Sequence, residues 1–142
     1  MRDPGNAGTV IRTAVSLGVK VIFTEDCADI FSAKVIRASM GAVFADSIYI
    51  VPSASTLAQT ATNDGFSVYG AILDDKAKPM DKIEFPQKSL FIIGNEGSGL
   101  KQETISRCNE HAYIPMTGKT ESLNAAIAAS IIIWEISKKI QG

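Results

Sequence analysis

Three short stretches carry the residue types able to do chemistry. The first is Leu90-Phe91-Ile92-Ile93-Gly94-Asn95-Glu96-Gly97-Ser98-Gly99-Leu100. Its four leading apolar residues read as a buried strand that runs straight into a glycine-rich turn holding one acid. A glycine turn at the end of a parallel strand is where backbone amides meet a cofactor or a phosphate. Glycines at 94 and 97 let backbone approach closely. Glu96 has three open roles: it can orient Arg12 or Asn6 through a charge-assisted hydrogen bond, act as a general base, or simply stabilise its turn. The second stretch, Asp3-Pro4-Gly5-Asn6-Ala7-Gly8-Thr9-Val10-Ile11-Arg12, sets Arg12 about one helical turn into a helix, able to reach back over the Asn6 loop. Its guanidinium is planar and permanently charged; the plainer reading is a surface arginine paired with an acid. The third is Ile114-Pro115-Met116 followed by Ser122-Leu123-Asn124. Ser122 and Asn124 read as a helix N-cap pair.

The elements that must position these residues alternate between strand-like and helix-like. Residues 8–17 have apolar positions at helical spacing, and Gly18 is a C-cap candidate. Residues 19–23 are a short β-branched strand. Ser32 caps a helix to Arg37, 48–51 is a second strand ended by Pro52, and 55–64 is a helix stopped by Gly65. Residues 66–73 form a strand, 74–88 a polar loop with two prolines, and 90–93 the buried strand. Then come a short helix at 102–108, a short strand at 112–114, and a long last helix at 122–139 whose Lys138 and Lys139 suit its C-terminal dipole. Such alternation predicts an α/β fold with a mostly parallel sheet and helices on both faces. It predicts a single domain over 1–142, with no repeat. Asp3-Pro4-Gly5-Asn6 reads as the loop after a strand that the sheet lacks.

Composition narrows the function classes. The 142 residues are 46% hydrophobic and 20% charged, as in a soluble globular domain with a real core. A formal net charge of −1 provides no global basic field for nucleic acid. The basic residues Lys34, Arg37, Lys101 and Arg107 are dispersed, so weak RNA binding is expected from this chain alone. Two cysteines, Cys27 and Cys108, and one histidine, His111, form no metal-ligand spacing, so no metal is expected. The thiols read as reduced, in a cytoplasmic protein. No signal peptide is visible, and the apolar run 125–134 is shorter than the roughly 20 residues a bilayer span needs. His111 is read as lying away from every motif, without a catalytic part.

Taken in order, the three stretches resemble the three motifs of the SpoU (TrmH-type) branch of the SPOUT RNA 2′-O-ribose methyltransferases. The first motif is Asn6-Ala7-Gly8-Thr9-Val10-Ile11-Arg12-Thr13-Ala14. The second is Ile93-Gly94-Asn95-Glu96-Gly97-Ser98-Gly99-Leu100. The third is Ile114-Pro115-Met116 with Ser122-Leu123-Asn124-Ala125-Ala126. The resemblance covers almost the whole chain and implies S-adenosylmethionine as cofactor and methyl transfer to a ribose 2′-hydroxyl of tRNA or rRNA. It implies a C-terminal trefoil knot, a feature pattern reasoning alone rejects. It also implies a homodimer through the last helix, where Ile131, Ile132 and Trp134 are interface candidates. Relatives usually carry a first strand, and many a small RNA-binding domain before it, and both are read as absent.

The resemblance also assigns residues. Asn6, Arg12, Glu96, Ser122 and Asn124 fall on the catalytic side, with Arg12 taking the hydroxyl proton or, the role better suited to a guanidinium that stays protonated, holding an RNA phosphate, and with Asn124 positioning the 2′-hydroxyl or Arg12. Leu73, Gly94, Asn95, Gly97, Ile114, Met116 and Leu123 fall on the cofactor side, with Gly94, Ile114 and Leu123 the leading contacts. A sulfonium cofactor needs an apolar slot with backbone polar edges, which these residues can supply; each apolar one would otherwise read as ordinary core. Two competing readings remain: a non-catalytic S-adenosylmethionine-binding paralogue or truncated remnant, and a Rossmann-type nucleotide-binding module. The latter needs a glycine fingerprint that Gly5-Asn6-Ala7-Gly8 does not supply.

Overall fold

The structure is a computed structural model and describes residues 1–118 and 122–141. In chain order the elements are α1 (Pro4–Ser16), β1 (Val21–Thr24), α2 (Ala33–Ala38), β2 (Ile48–Val51), α3 (Ala54–Asn63) and β3 (Ser67–Ala71). These are followed by β4 (Lys78–Pro79), β5 (Ser89–Ile92), α4 (Gln102–Ile105), β6 (Glu110–Tyr113) and α5 (Ala125–Gln141). The chain divides into two compact units, Met1–Ser53 with Asn124–Gly142, and Ala54–Leu123.

In the first unit, α1 begins earlier than its apolar spacing predicts. Asp3 is its N-cap, accepting from the Asn6 amide at 2.7 Å, and Pro4 sits in its first turn. The stretch expected to be a loop after a strand is therefore a helix start: Asp supplies the acceptor that first-turn amides lack, and Pro at that place gives up no hydrogen bond. Gly18, at φ +70°, lies just past the helix as expected. Gly8 admits α2 to backbone contact, because a Cβ there would fall 2.4 Å from the Ala38 Cβ. β1 and β2 pair in parallel, Val21 opposite Ile48. Ala7, Ile11, Phe23, Ile30, Val35 and Val43 form the core between helices and strands.

The long last helix α5 starts at Ala125, not at 122. Asn124 alone caps it, its Oδ1 accepting from the amides of Ala126 and Ile127 at 2.9 and 3.2 Å, while Ser122 precedes the helix and is exposed. Two contacts place α5 beside α1 and parallel to it: Asn124 meets Asn6, and about two turns on Ser130 meets Thr13 at 3.4 Å. Of the residues expected at a subunit interface, Ile132 is buried within its own unit, whereas Trp134 is half exposed.

The second unit is a four-stranded sheet in the order β4-β6-β3-β5, every pairing parallel. Ala58 and Ala61 of α3 pack on Val68 and Ile92. The alternate side chains of the same strands carry an aromatic cluster: Tyr69 stacks with Phe91 at 5.9 Å and meets Phe85 edge-on at 4.9 Å. Phe85 belongs to the segment expected to be a polar loop. That segment instead buries Met80 and Phe85 and adds the short strand β4 against β6. Two buried apolar side chains outweigh its polar composition, an outcome that local propensity cannot register.

Candidate active site

Within the second unit, three connections leave the C-terminal ends of three neighbouring parallel strands, β6, β3 and β5. In open α/β sheets that edge is where ligands bind. The connection after β5 is the glycine turn. Asn95 and Gly99 close it with a pair of backbone hydrogen bonds, N to O at 3.3 and 3.1 Å. The Asn95 side chain fills it: Oδ1 accepts from the Gly97 amide at 3.0 Å, the Ser98 amide at 2.9 Å and the Ser98 hydroxyl at 3.0 Å. Gly99 stands at φ +64°, where a glycine avoids strain. The turn thus arrives pre-shaped, with Glu96 exposed at its tip.

That geometry revises why the glycines are there. A Cβ on Gly94 would lie 2.2 Å from the Gly99 carbonyl carbon, so the close approach it permits is by the turn's own backbone. A Cβ on Gly97 would have nothing nearer than Asn95 Oδ1 at 3.9 Å. Asn95 uses its acceptor inside the turn, a role its position in the motif does not reveal. Gly99 was missed as a required glycine; its place at the close of a tight Asn-led turn is the signal that points to it.

The connection after β3 carries Leu73, 75% exposed, and the one after β6 carries Ile114, half-buried, and Met116, 43% exposed. Large apolar side chains left open beside a pre-shaped polar turn are what an apolar ligand wall requires. Leu123 is half-buried and Ser122 exposed at the far end of this unit and the beginning of the path to α5. Cys108, on the α4–β6 connection, is not a nucleophile candidate: burial pushes its thiol up, and its Sγ donates to the Thr104 carbonyl. Tyr69 is likewise pushed up by burial.

The first unit holds the other predicted residues. Asn124 Nδ2 donates to Asn6 Oδ1 at 3.3 Å, so two residues 118 positions apart in sequence meet at the adjacent N-termini of α1 and α5. Arg12, two turns along α1, is exposed and makes no hydrogen bond or ion pair among the described residues. Among the described residues, no acid stands as the partner expected of an ordinary surface arginine.

The profile of the SpoU rRNA Methylase family matches residues 1–134. The chain belongs to this family. Among SpoU relatives, the 23S rRNA (guanosine(2553)-2′-O)-methyltransferase RlmP of Bacillus subtilis is 32% identical over 137 residues, 96% of this chain and 54% of RlmP. The RlmB 23S rRNA methyltransferase of Acinetobacter baylyi is 32% identical over 99% of this chain and 57% of its own. An AdoMet-bound rRNA methyltransferase structure from Sinorhizobium meliloti superimposes with a TM-score of 0.87 at 33% identity, over 96% of this chain and 52% of that one. The SpoU methyltransferase AviRb of Streptomyces viridochromogenes, solved with AdoMet, gives 0.82 at 33% identity over 99% and 58%. The chain spans about half the length of the curated relatives it matches. The parallel α/β fold expected from the strand–helix alternation is shared with these solved methyltransferase structures. Among the described residues there is no group of three or more metal-ligating side chains, and no helix is long and apolar enough to cross a membrane.

Proposed function

We propose that this chain is the catalytic domain of an S-adenosylmethionine-dependent RNA 2′-O-methyltransferase acting on rRNA or tRNA. The observation that carries the reading is the likeness, at 33% identity over nearly the whole chain, to two methyltransferases solved with AdoMet. The residues present fit that cofactor: a turn pre-shaped by its own hydrogen bonds stands at the end of β5, and Leu73, Ile114 and Met116 leave apolar surface open on neighbouring connections. The cofactor supplies the methyl group and, as a sulfonium, a good leaving group.

The chain's own part is positioning. Arg12 clamps an RNA phosphate next to the reacting ribose, since its charge has no partner among the described residues and its planar fork matches phosphate oxygens. Asn6 and Asn124, joined by their hydrogen bond, hold a fixed pair of amide groups for the ribose hydroxyl. Glu96 and Ser122, both exposed, complete the substrate side. Aligning an in-line displacement in this way can lower a barrier by about 7–11 kcal/mol. The active form is a homodimer in which α5 presents Ile127 and Trp134, each about half exposed and two turns apart on one stripe of the helix, and it works in the cytoplasm.

The test is incubation of the protein with methyl-labelled S-adenosylmethionine and total tRNA and rRNA, followed by mapping of labelled 2′-O-methyl sites. Label at one or a few ribose positions is the expected result. Because weak RNA binding is expected from this chain alone, the RNA is supplied in large excess; cofactor binding without transfer under that excess leaves the non-catalytic paralogue or truncated remnant, and no cofactor binding overturns all of these readings.

A further inference from the structure

His111 lies on β6, opposite Gly70 of β3, three residues before Ile114. It is therefore part of the strand that delivers the third motif, not remote from every motif. Its Nδ1 meets Asp74 Oδ2 at 2.7 Å, and its side chain is only 15% exposed. Asp74 is the hub of the connection after β3. Its Oδ1 accepts from the Lys76 amide at 3.0 Å and its carbonyl from the Ala77 amide at 3.1 Å, which folds residues 74–77 into a tight turn. One further bond, from the Ile72 amide to the Ala112 carbonyl, fastens the start of this connection to β6. Leu73, the most exposed apolar side chain in the unit, sits between the two fastenings.

We propose that His111 and Asp74 are a positioning pair, a latch that fixes the connection after β3 to β6 so that Leu73 and Ile114 hold one geometry for S-adenosylmethionine. This rests on the cofactor reading above. Without the latch, Leu73 would have one backbone bond behind it and open solvent ahead, and binding would have to order the turn. With it, that ordering is complete before the ligand arrives. The histidine donates from Nδ1, because the carboxylate can only accept. The Asp74 carboxyl is held below the usual carboxylate range: partial desolvation pushes it up, but the bonds from His111 and the Lys76 amide prevail. The acceptor is thus ionised at neutral pH. On the adjoining strands, Lys78 and Glu110 pair with each other at 2.9 Å.

Calorimetric titration of S-adenosylmethionine into the 142-residue protein and three variants tests this. His111→Leu removes the donor at similar volume, and should weaken binding about tenfold, the scale of a lost charge-assisted bond plus loop ordering. His111→Asn places an amide N–H where Nδ1 stood and should recover to within about threefold of wild type. Asp74→Ala, in an exposed turn, removes the same bond without disturbing β6, together with the bond from the Lys76 amide, and should weaken binding at least as much as His111→Leu. The melting temperature of Asp74→Ala should stay within about 2 °C of wild type, since so exposed an acid contributes little to global stability. Equal binding by wild type, His111→Leu and Asp74→Ala overturns the latch alone. Equal loss in His111→Leu and His111→Asn also overturns it, because the hydrogen bond would not be what matters. No binding by the wild type overturns the cofactor reading itself.

Discussion

The glycine turn at 94–99 and the arginine of α1 use polar groups in opposite ways. Asn95 spends its acceptor on three donors within four residues, and the backbone of the turn closes on itself. Arg12 leaves its guanidinium exposed with no partner among the described residues. The first arrangement stores order before a ligand arrives, which lowers the entropy cost of binding. The second withholds a charge from the fold, so whatever it meets on binding adds interaction energy without first breaking an ion pair. A rigid cradle suits a cofactor of fixed shape. An uncommitted cation suits a substrate whose phosphate must be captured and released in each cycle.

If this contrast is right, the two regions must respond differently to substitution. The largest effect on activity is expected at Arg12. Arg12→Ala should lower methyl transfer by about 100-fold or more. S-adenosylmethionine affinity should stay within a few-fold, and stability within about 0.5 kcal/mol. Arg12→Lys should also be poor, because a point charge does not replace the planar fork. Methylation assays with calorimetry on the same preparations check this; full activity in Arg12→Ala removes the phosphate-clamp role.

The turn should behave in reverse. Gly94→Ala forces a Cβ against the Gly99 carbonyl carbon, where only backbone movement relieves it. A loss of more than about 3 kcal/mol is expected in denaturant unfolding, together with loss of cofactor binding. Gly97→Ala meets no such obstacle and should fold within about 0.5 kcal/mol of wild type. Its cofactor affinity then reports whether the bare face of Gly97 serves the ligand: unchanged affinity removes Gly97 from the contact set. A Gly94→Ala protein as stable as wild type would show that the turn is not the closed structure described.

Asn95 separates order from charge within the turn. Asn95→Ala strips one acceptor from three donors, two of them amides, at an expected cost of about 1–2 kcal/mol, with weaker S-adenosylmethionine binding in proportion. Asn95→Asp keeps an oxygen in the same place and should recover most of the loss. Failure of Asp to recover it would mean that the Asn95 Nδ2 group, which makes no contact in the turn itself, is what the ligand reads.

What could be read from sequence follows the range of the interactions involved. The β2 strand at 48–51, the Ser32 cap of α2 and the Gly18 and Gly65 stops are set by neighbours within a few positions, and the structure has them where expected. The start of α1 was misplaced because Asp3-Pro4-Gly5 has the composition of both a loop and a capped helix end, and only the Asp3–Asn6 bond decides between them. The burial of Met80 and Phe85 depends on β6 and on Tyr69 and Phe91, partners that no local window contains. The motif residues were legible as a set, but their work was not. Nothing in the order Gly-Asn-Glu-Gly says that Asn95 holds the turn, and nothing near His111 in sequence announces Asp74, 37 residues away.

Asn124 shows how one residue joins the two kinds of region, and it supplies the smallest predicted effect. Its Oδ1 is committed to the fold, accepting from the Ala126 and Ile127 amides at the start of α5. Its Nδ2 reaches Asn6 at 3.3 Å, a long bond between exposed groups that contributes little to stability. Replacing Asn124 with Ala should therefore cost about 1 kcal/mol, the ordinary value of a lost N-cap. Asn124→Asp keeps the cap oxygen and its charge favours the positive end of the helix, so stability should return to that of wild type or slightly above. The Asp side chain has no N–H to give Asn6, so the bond from position 124 to Asn6 Oδ1 is lost. Comparing the two variants separates the functions: thermal melting should distinguish them, while methyl transfer should be impaired in both. If Asn124→Asp regains full transfer along with stability, the Nδ2 group of Asn124 has no part in holding the substrate.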